Sequence, residues 1–316
     1  MTQENNNKLN YIKEIFQSLG GKIIDGFPVI DSPIYRTKNG TPYLKSSGVV
    51  MIAQPKIKID NSLNFLKNYQ PEFEDYLNDP DKLTSGTQLI KFAAQLCYLS
   101  FGPKRTLNKD AQRYFDNILS SGHGSVLEHA YYTFLIYGVS RSLTHELIRH
   151  RAGFAYSQQS QRYVSGDLIR FVEREEFQKD ETLHNLFEER IDKIKKDYYH
   201  LVNLLKEKQE QLSILKPSYK EDNSHLKTEL RKKINQTARA LFTNETEAPI
   251  VVTANIRAWR QTIEMRANNY AETEIRNLFF KIFLCLALVE PLLFNDYEII
   301  KYDDGLYGVK TQWKKV

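Results

Sequence analysis

The sequence predicts an α+β fold, a sheet of short strands flanked by long helices, and three observations carry that prediction. Strand-like runs rich in β-branched and aromatic residues occur at Phe27 to Ile30, Gly48 to Ile52 and Ala130 to Val139. Helical spacing of apolar residues dominates from Gly86 onward. Glycines 20, 21 and 26 do not form the GxGxxG turn that marks a dinucleotide-binding parallel sheet, so a Rossmann site has no support. At 316 residues the chain can bury a substantial core as one large domain or two.

Taken in order, residues 1–85 begin with a polar tip and a short helix through Ile12, Ile15, Phe16 and Leu19, ended by Gly20-Gly21. With the two strand-like runs that follow, this stretch reads as an N-terminal accessory extension, and residues 86–316 read as the main domain. Leu89, Ile90, Ala93, Leu96 and Cys97 predict a helix that Phe101-Gly-Pro stops, with Cys97 buried at its end. A second helix around Ala111 to Leu119 leads into the glycine-rich turn Ser120 to Ser125. That turn puts Ser125, Glu128 and His129 at the start of an element, where unsatisfied backbone N–H groups attract anions.

Ser140 to Arg151 combines helix-start residues with good helix formers, which places Arg149 and Arg151 at a helix C-terminus. Two residues apart on a helix, their side chains diverge by about 200° and serve different groups. Leu168 to Val172 reads as a short strand. Phe187, Ile191, Ile194, Tyr198, Leu201 and Leu205 then form a heptad-like seam on a long helical arm, about 180–225, which Lys216-Pro217 and the polar run to Ser224 end. Leu226, Leu230, Ile234 and Leu241 open the next helix. Arg257, Gln261 and Met265 share one face of a helix that ends at Arg266, before Asn268-Asn269. The final helix, with Ile275, Leu278, Phe279, Ile282, Phe283 and Leu286 on one face, is a core helix that holds Cys285.

The densest chemistry lies between Arg149 and Tyr163. This stretch holds three guanidiniums, one imidazole, three carboxamides, two hydroxyls and two phenols, and no Asp or Glu occurs between Glu146 and Asp167. Such a cluster calls for an anion, and guanidinium suits the task because its planar fork grips phosphate or carboxylate bidentately at any working pH. A solvated basic turn is the plain alternative, as is pairing of the later arginines with Glu264 or Glu272. Metal binding is rejected, because His145 and His150 stand five apart with Arg149 where a zinc helix needs the second histidine.

The net charge of +5 tilts the chain toward anionic ligands without requiring nucleic acid. Its two cysteines make no CxxC pair, which disfavours a disulfide framework. The opening Met-Thr-Gln-Glu-Asn-Asn-Asn lacks signal-peptide character, and the longest apolar run, Ile282 to Val289, is too short for a bilayer span. A cytoplasmic protein with no membrane segment is expected.

Arg149-His150-Arg151, Ser160 and Arg162-Tyr163, with the Ser125 to His129 turn and the Asn255 to Arg266 helix, resemble the flavin-dependent thymidylate synthase (ThyX) family. The likeness spans about residues 86–172 and 226–295, roughly half the chain. Eight residues separate Arg151 from Ser160, one more than the family's spacing, and a bulge at Ala152-Gly153 would absorb it. The resemblance implies a ThyX-like mixed sheet flanked by long helices. It implies FAD contacts at Ser125, Glu128, Arg149, His150, Arg151, Ser157, Gln158, Asn255, Arg257, Gln261 and Met265, with Gln261 replacing a shorter Asn. It implies substrate contacts at Glu146, Arg149, Gln158, Ser160, Gln161, Arg162, Arg239 and Arg266, with Arg266 stabilising charge on the pyrimidine.

The activity so implied is methylation of dUMP to dTMP, with methylenetetrahydrofolate as carbon donor, NADPH as reductant and active sites at the junctions of a homotetramer. No enzyme nucleophile is needed, which agrees with the expected burial of both cysteines. Two alternatives stand beside it. One is a ThyX-like flavoenzyme that methylates or hydroxymethylates another pyrimidine nucleotide; the other, of a different class, is a basic nucleic-acid-binding protein, for which the sequence offers no reading motif.

Overall fold

A computed structural model describes residues 3–164, 166–208, 211 and 223–313. Its main sheet has six antiparallel strands in the order β1-β2-β5-β6-β9-β7. These strands are β1 (Lys22–Ile24), β2 (Phe27–Ile30), β5 (Gly48–Ala53), β6 (Tyr131–Tyr137), β9 (Ile250–Asn255) and β7 (Phe154–Gln158). A smaller sheet joins β3 (Ile34–Arg36), β4 (Pro42–Leu44) and β8 (Phe171–Val172), and β10 (Tyr297–Lys301) pairs with β11 (Tyr307–Thr311). The helices are α1 (Gln3–Ser18), α2 (Leu63–Tyr69), α3 (Ser85–Leu96), α4 (Ala111–Ser120), α5 (Arg141–Leu147), α6 (Glu175–Gln178), α7 (Glu181–Glu207), α8 (Asn223–Ala238), α9 (Ile256–Arg266) and α10 (Thr273–Val289).

Strand β6 alternates as the expected run requires, with Tyr132, Phe134 and Ile136 fully buried between less buried neighbours. Those side chains belong to the principal core, as do Ile275, Leu278, Phe279, Ile282, Phe283 and Leu286 of α10. Helix α10 is buried nearly all round, which explains why its apolar residues exceed a single stripe. Residues 3–53 are woven into this core: β5 pairs with β6, and Ile12, Ile15 and Phe16 of α1 join the same hydrophobic cluster. Three of the six strands of the main sheet therefore come from the stretch read as an accessory layer.

The long helix appears as α7, with Phe187, Ile191 and Tyr198 buried along the expected seam. Its lower half packs with Tyr43, Ile169 and Phe171, and its upper half packs with Ile234 and Ala238 of α8. Lys216-Pro217 and the residues to 222 lie outside the described residues. One sequence expectation is corrected here. Helix α3 ends at Leu96, so Cys97 caps it and is exposed, whereas Cys285 is buried as expected.

Candidate active site

The site assembles where α5, β7 and α9 meet. Ser140 caps α5 by accepting from Leu143 N, and Glu274 of α10 accepts from both Ser140 N at 2.7 Å and Ser140 Oγ at 2.6 Å. The helix stops at Leu147, earlier than its composition predicts. Arg149, His150 and Arg151 follow it in tight turns, with Arg149 N bonded to Glu146 O and His150 N to Leu147 O. The arginines are therefore separated by turn geometry, and the helical angle expected between them does not apply. Tyr156 of β7 braces the early stop, its hydroxyl lying 2.6 Å from His150 O and 3.0 Å from Leu147 O, which also accepts from His150 N.

Residues Arg151 to Phe154 form a turn, closed by Phe154 N to Arg151 O at 3.2 Å. Gly153 stands at the third position with φ +76°, which only glycine adopts cheaply. A Cβ there would lie 2.9 Å from both Ala258 Cβ and Asn255 Nδ2, so this turn sits against the first turn of α9. From Phe154 the chain enters β7, an edge strand that sequence reading missed, with Ser157 opposite Val251 and Gln158 opposite Ile250. Its burial alternates along the strand, Phe154, Tyr156 and Gln158 being the less exposed set, and that pattern was available as a signal.

Helix α9 follows its expected register. Asn255 caps it by accepting from Ala258 N at 2.9 Å, Trp259 and Ile263 face the core, and Gln261 and Met265 are exposed. Arg257 does not pair along its own helix; it reaches Glu128 in the turn Gly124–His129 at 2.6 Å, beside Ser125. Arg266 likewise crosses to α5 and the turn beyond it, with Nε donating to His150 Nε2 at 2.9 Å and a terminal nitrogen 3.1 Å from Glu146. An arginine Nε can only donate, so His150 Nε2 accepts and its one proton resides on Nδ1. Burial, and then the Arg266 charge, hold the His150 pKa below its ordinary value, which keeps the ring neutral.

The remaining cations are not neutralised. Arg149, Arg151, Arg162 and Arg239 make no ion pair among the described residues, and Arg162 rests over the Tyr163 ring. Arg141, which sequence reading passed over, adds to this set. Its pKa is lowered, first by burial and then by the charge of Arg239. Its position directly after a helix cap, with no acid before Glu146, was the signal for it. Ser160 lies at the neighbouring turn, its Oγ accepting from Arg162 N, and Gln161 buries its side-chain Nε2 with no partner. A buried donor left open costs about 1–3 kcal/mol unless a ligand meets it. Much of the cluster faces solvent, with Ser125, Glu128, Arg149, Arg151, Ser157, Gln261 and Met265 exposed.

Neither cysteine completes this arrangement. Burial raises the Cys285 thiol pKa far above its ordinary value, and Cys97 lies near Tyr114 of α4, bonding Ala93 O.

Comparison with known proteins agrees with this geometry. The profile of the family described as thymidylate synthase complementing protein matches residues 81–292. The chain is 39% identical over 236 residues to the flavin-dependent thymidylate synthase of Mycobacterium tuberculosis, covering 73% of this chain and 89% of that one. The enzyme of the same name from Mycolicibacterium gilvum is 40% identical over 220 residues, covering 70% and 83%. In fold the chain resembles the crystal structure of a UMP/dUMP methylase, PolB, from Streptomyces cacaoi bound with 5-Br dUMP. That likeness has a TM-score of 0.51 at 14% identity and covers 79% of this chain and 94% of that one.

Proposed function

The chain belongs to the family of flavin-dependent thymidylate synthases, and from that premise we propose that it methylates dUMP at C5 to give dTMP. Methylenetetrahydrofolate donates the carbon, NADPH supplies the electrons and FAD is the bound cofactor. The observation that carries this reading is Arg266, held between the neutral imidazole of His150 and the carboxylate of Glu146 at the edge of an unneutralised cationic surface. A nucleic-acid polymer would engage the arginines through phosphates alone and gives no reason for one of them to be aimed by an imidazole and a carboxylate.

The residues present fit a flavin dinucleotide. Arg149 and Arg151 make no ion pair among the described residues, and Gln261 and Met265 are exposed on the face of α9 that also carries Arg257. Ser125, Glu128, Arg149, His150, Arg151, Ser157, Gln158, Asn255, Arg257, Gln261 and Met265 would hold it. When bound and reduced, the flavin supplies a hydride. Because these residues lie on an open surface, a second copy of the chain would close the site, which accords with a homotetramer.

The chain's own groups then bind and polarise the nucleotide. Arg141 and Arg239, whose charges raise each other's cost, would share a phosphate, and Ser160, Gln161 and Arg162 would add donors to it. Glu146 and His150 use two of the five N–H donors of Arg266 and leave the others for the pyrimidine carbonyl, where negative charge develops as the ring is attacked. His150 acts best as a neutral acceptor here, since an imidazolium would compete with Arg266 for that charge. The C5 proton is lost as the carbon is delivered. Release of tritium from C5-labelled dUMP, dependent on NADPH and methylenetetrahydrofolate, therefore tests the proposal, with a yellow protein as its companion observation. Turnover of UMP in preference to dUMP would favour the other-pyrimidine reading, and a colourless protein that FAD does not reconstitute would end both.

A further inference from the structure

Away from the catalytic surface, a cavity of about 610 Å³ opens between the start of α10, the β8–α6 segment, the β4–β5 turn and the β10–β11 turn. Its size is that of a small-molecule site. The charges on its wall are paired with one exception. Lys45 meets Glu173 at 3.5 Å, Lys179 meets Glu175 at 3.0 Å, and Arg174 meets Glu272 and, at 3.6 Å, Glu176. Glu274 accepts two bonds from Ser140, and Asp31 accepts from Tyr137.

Lys281 is the exception. Its side chain lines the cavity and is only 8% exposed, yet among the described residues its single partner is Ser47 O at 2.5 Å. An ammonium carries three donors, so two are left for groups in the cavity. Burial pushes the Lys281 pKa down to about 8, the response of a cation without a counter-ion. The rest of the wall limits what can supply that counter-ion. Five carboxylates, those of Asp31, Glu173, Glu175, Glu176 and Glu274, face the same space, so a dianion would be repelled more strongly than a monoanion.

We propose that this cavity binds a small monocarboxylate, whose single charge pairs with the Lys281 ammonium. The site is separate from the catalytic surface. It adjoins that surface through Glu274, which lines the cavity and caps the start of α5 through Ser140.

The test uses the full-length protein with benzoate as probe, and inorganic phosphate and benzylamine as comparisons of other charge. Calorimetry should give one saturable benzoate site per chain, weakened about tenfold or more in Lys281→Met, as expected for loss of a charge-assisted bond. A second measurement avoids any folding defect of that variant. In the unsubstituted protein, acetylation of Lys281 mapped by mass spectrometry should slow at least fivefold at saturating benzoate, while acetylation of Lys67, which lies outside the cavity, should not change. Equal benzoate affinity in Lys281→Met, tighter binding of phosphate or benzylamine, or acetylation of Lys281 indifferent to benzoate would each overturn the proposal.

Discussion

Gly153→Ala tests whether the turn after Arg151 is built against α9. At φ +76° an alanine pays about 1–2 kcal/mol for left-handed backbone. Its Cβ would also stand 2.9 Å from Ala258 Cβ and Asn255 Nδ2, closer than the roughly 3.5–4.0 Å at which carbon atoms rest. Relief requires Asn255 to move, and that side chain caps α9 through Ala258 N, a contact worth about 1 kcal/mol. The expected loss is about 2–3 kcal/mol, or roughly 30- to 150-fold in the folding equilibrium. Gly40→Ala is the internal control, because Gly40 has φ +81° but nothing within 4 Å of its would-be Cβ, so it pays only the backbone cost. Urea unfolding of both variants at one protomer concentration gives the difference, which should be about 1 kcal/mol or more. The reasoning also predicts loss of bound FAD in Gly153→Ala alone. Equal destabilisation of the two variants with FAD retained in both would refute it.

Glu146→Gln keeps the shape of the Arg266 cradle but removes its charge, so turnover should drop about 10- to 100-fold with flavin still bound; tritium release beside the flavin spectrum checks this. Arg257→Ala breaks an exposed pair with Glu128, worth about 0–1 kcal/mol, so thermal stability should hardly move while FAD affinity falls. A stability loss without weaker FAD binding would reverse that assignment. The pKa of His150 is lowered in the folded chain, so the unfolded chain takes up its proton first as pH falls. The native state therefore loses stability as pH drops below about 6.5, in a window that His150→Gln should flatten in urea unfolding followed across pH.

What the sequence can disclose about this site depends on whether a residue's neighbours are local. Arg257, Gln261 and Met265 were legible as one face because helical period alone puts them there, and Asn255 caps that helix from within its own first turn. Tyr156 is the opposite case, because it braces the end of α5 by reaching back to Leu147 and His150 only when β7 pairs with β9, a contact with residues far along the chain. Good helix formers through Arg151 could not reveal that, and tertiary pairing overrode their propensity. Arg266 and Glu146 are 120 residues apart, and Arg257 and Glu128 are 129 apart, so charge composition could mark these arginines as unusual but not name their partners. The misplaced Cys97 follows the same logic: apolar spacing continued through it, while the helix stopped one residue earlier. The catalytic argument survives that correction because it rests on Arg266, aimed by a neutral imidazole and a carboxylate. An electrophilic group so held polarises the pyrimidine without a thiol, which predicts that Cys97→Ala leaves tritium release from dUMP unchanged; a loss approaching that of Glu146→Gln would return a nucleophile to the mechanism.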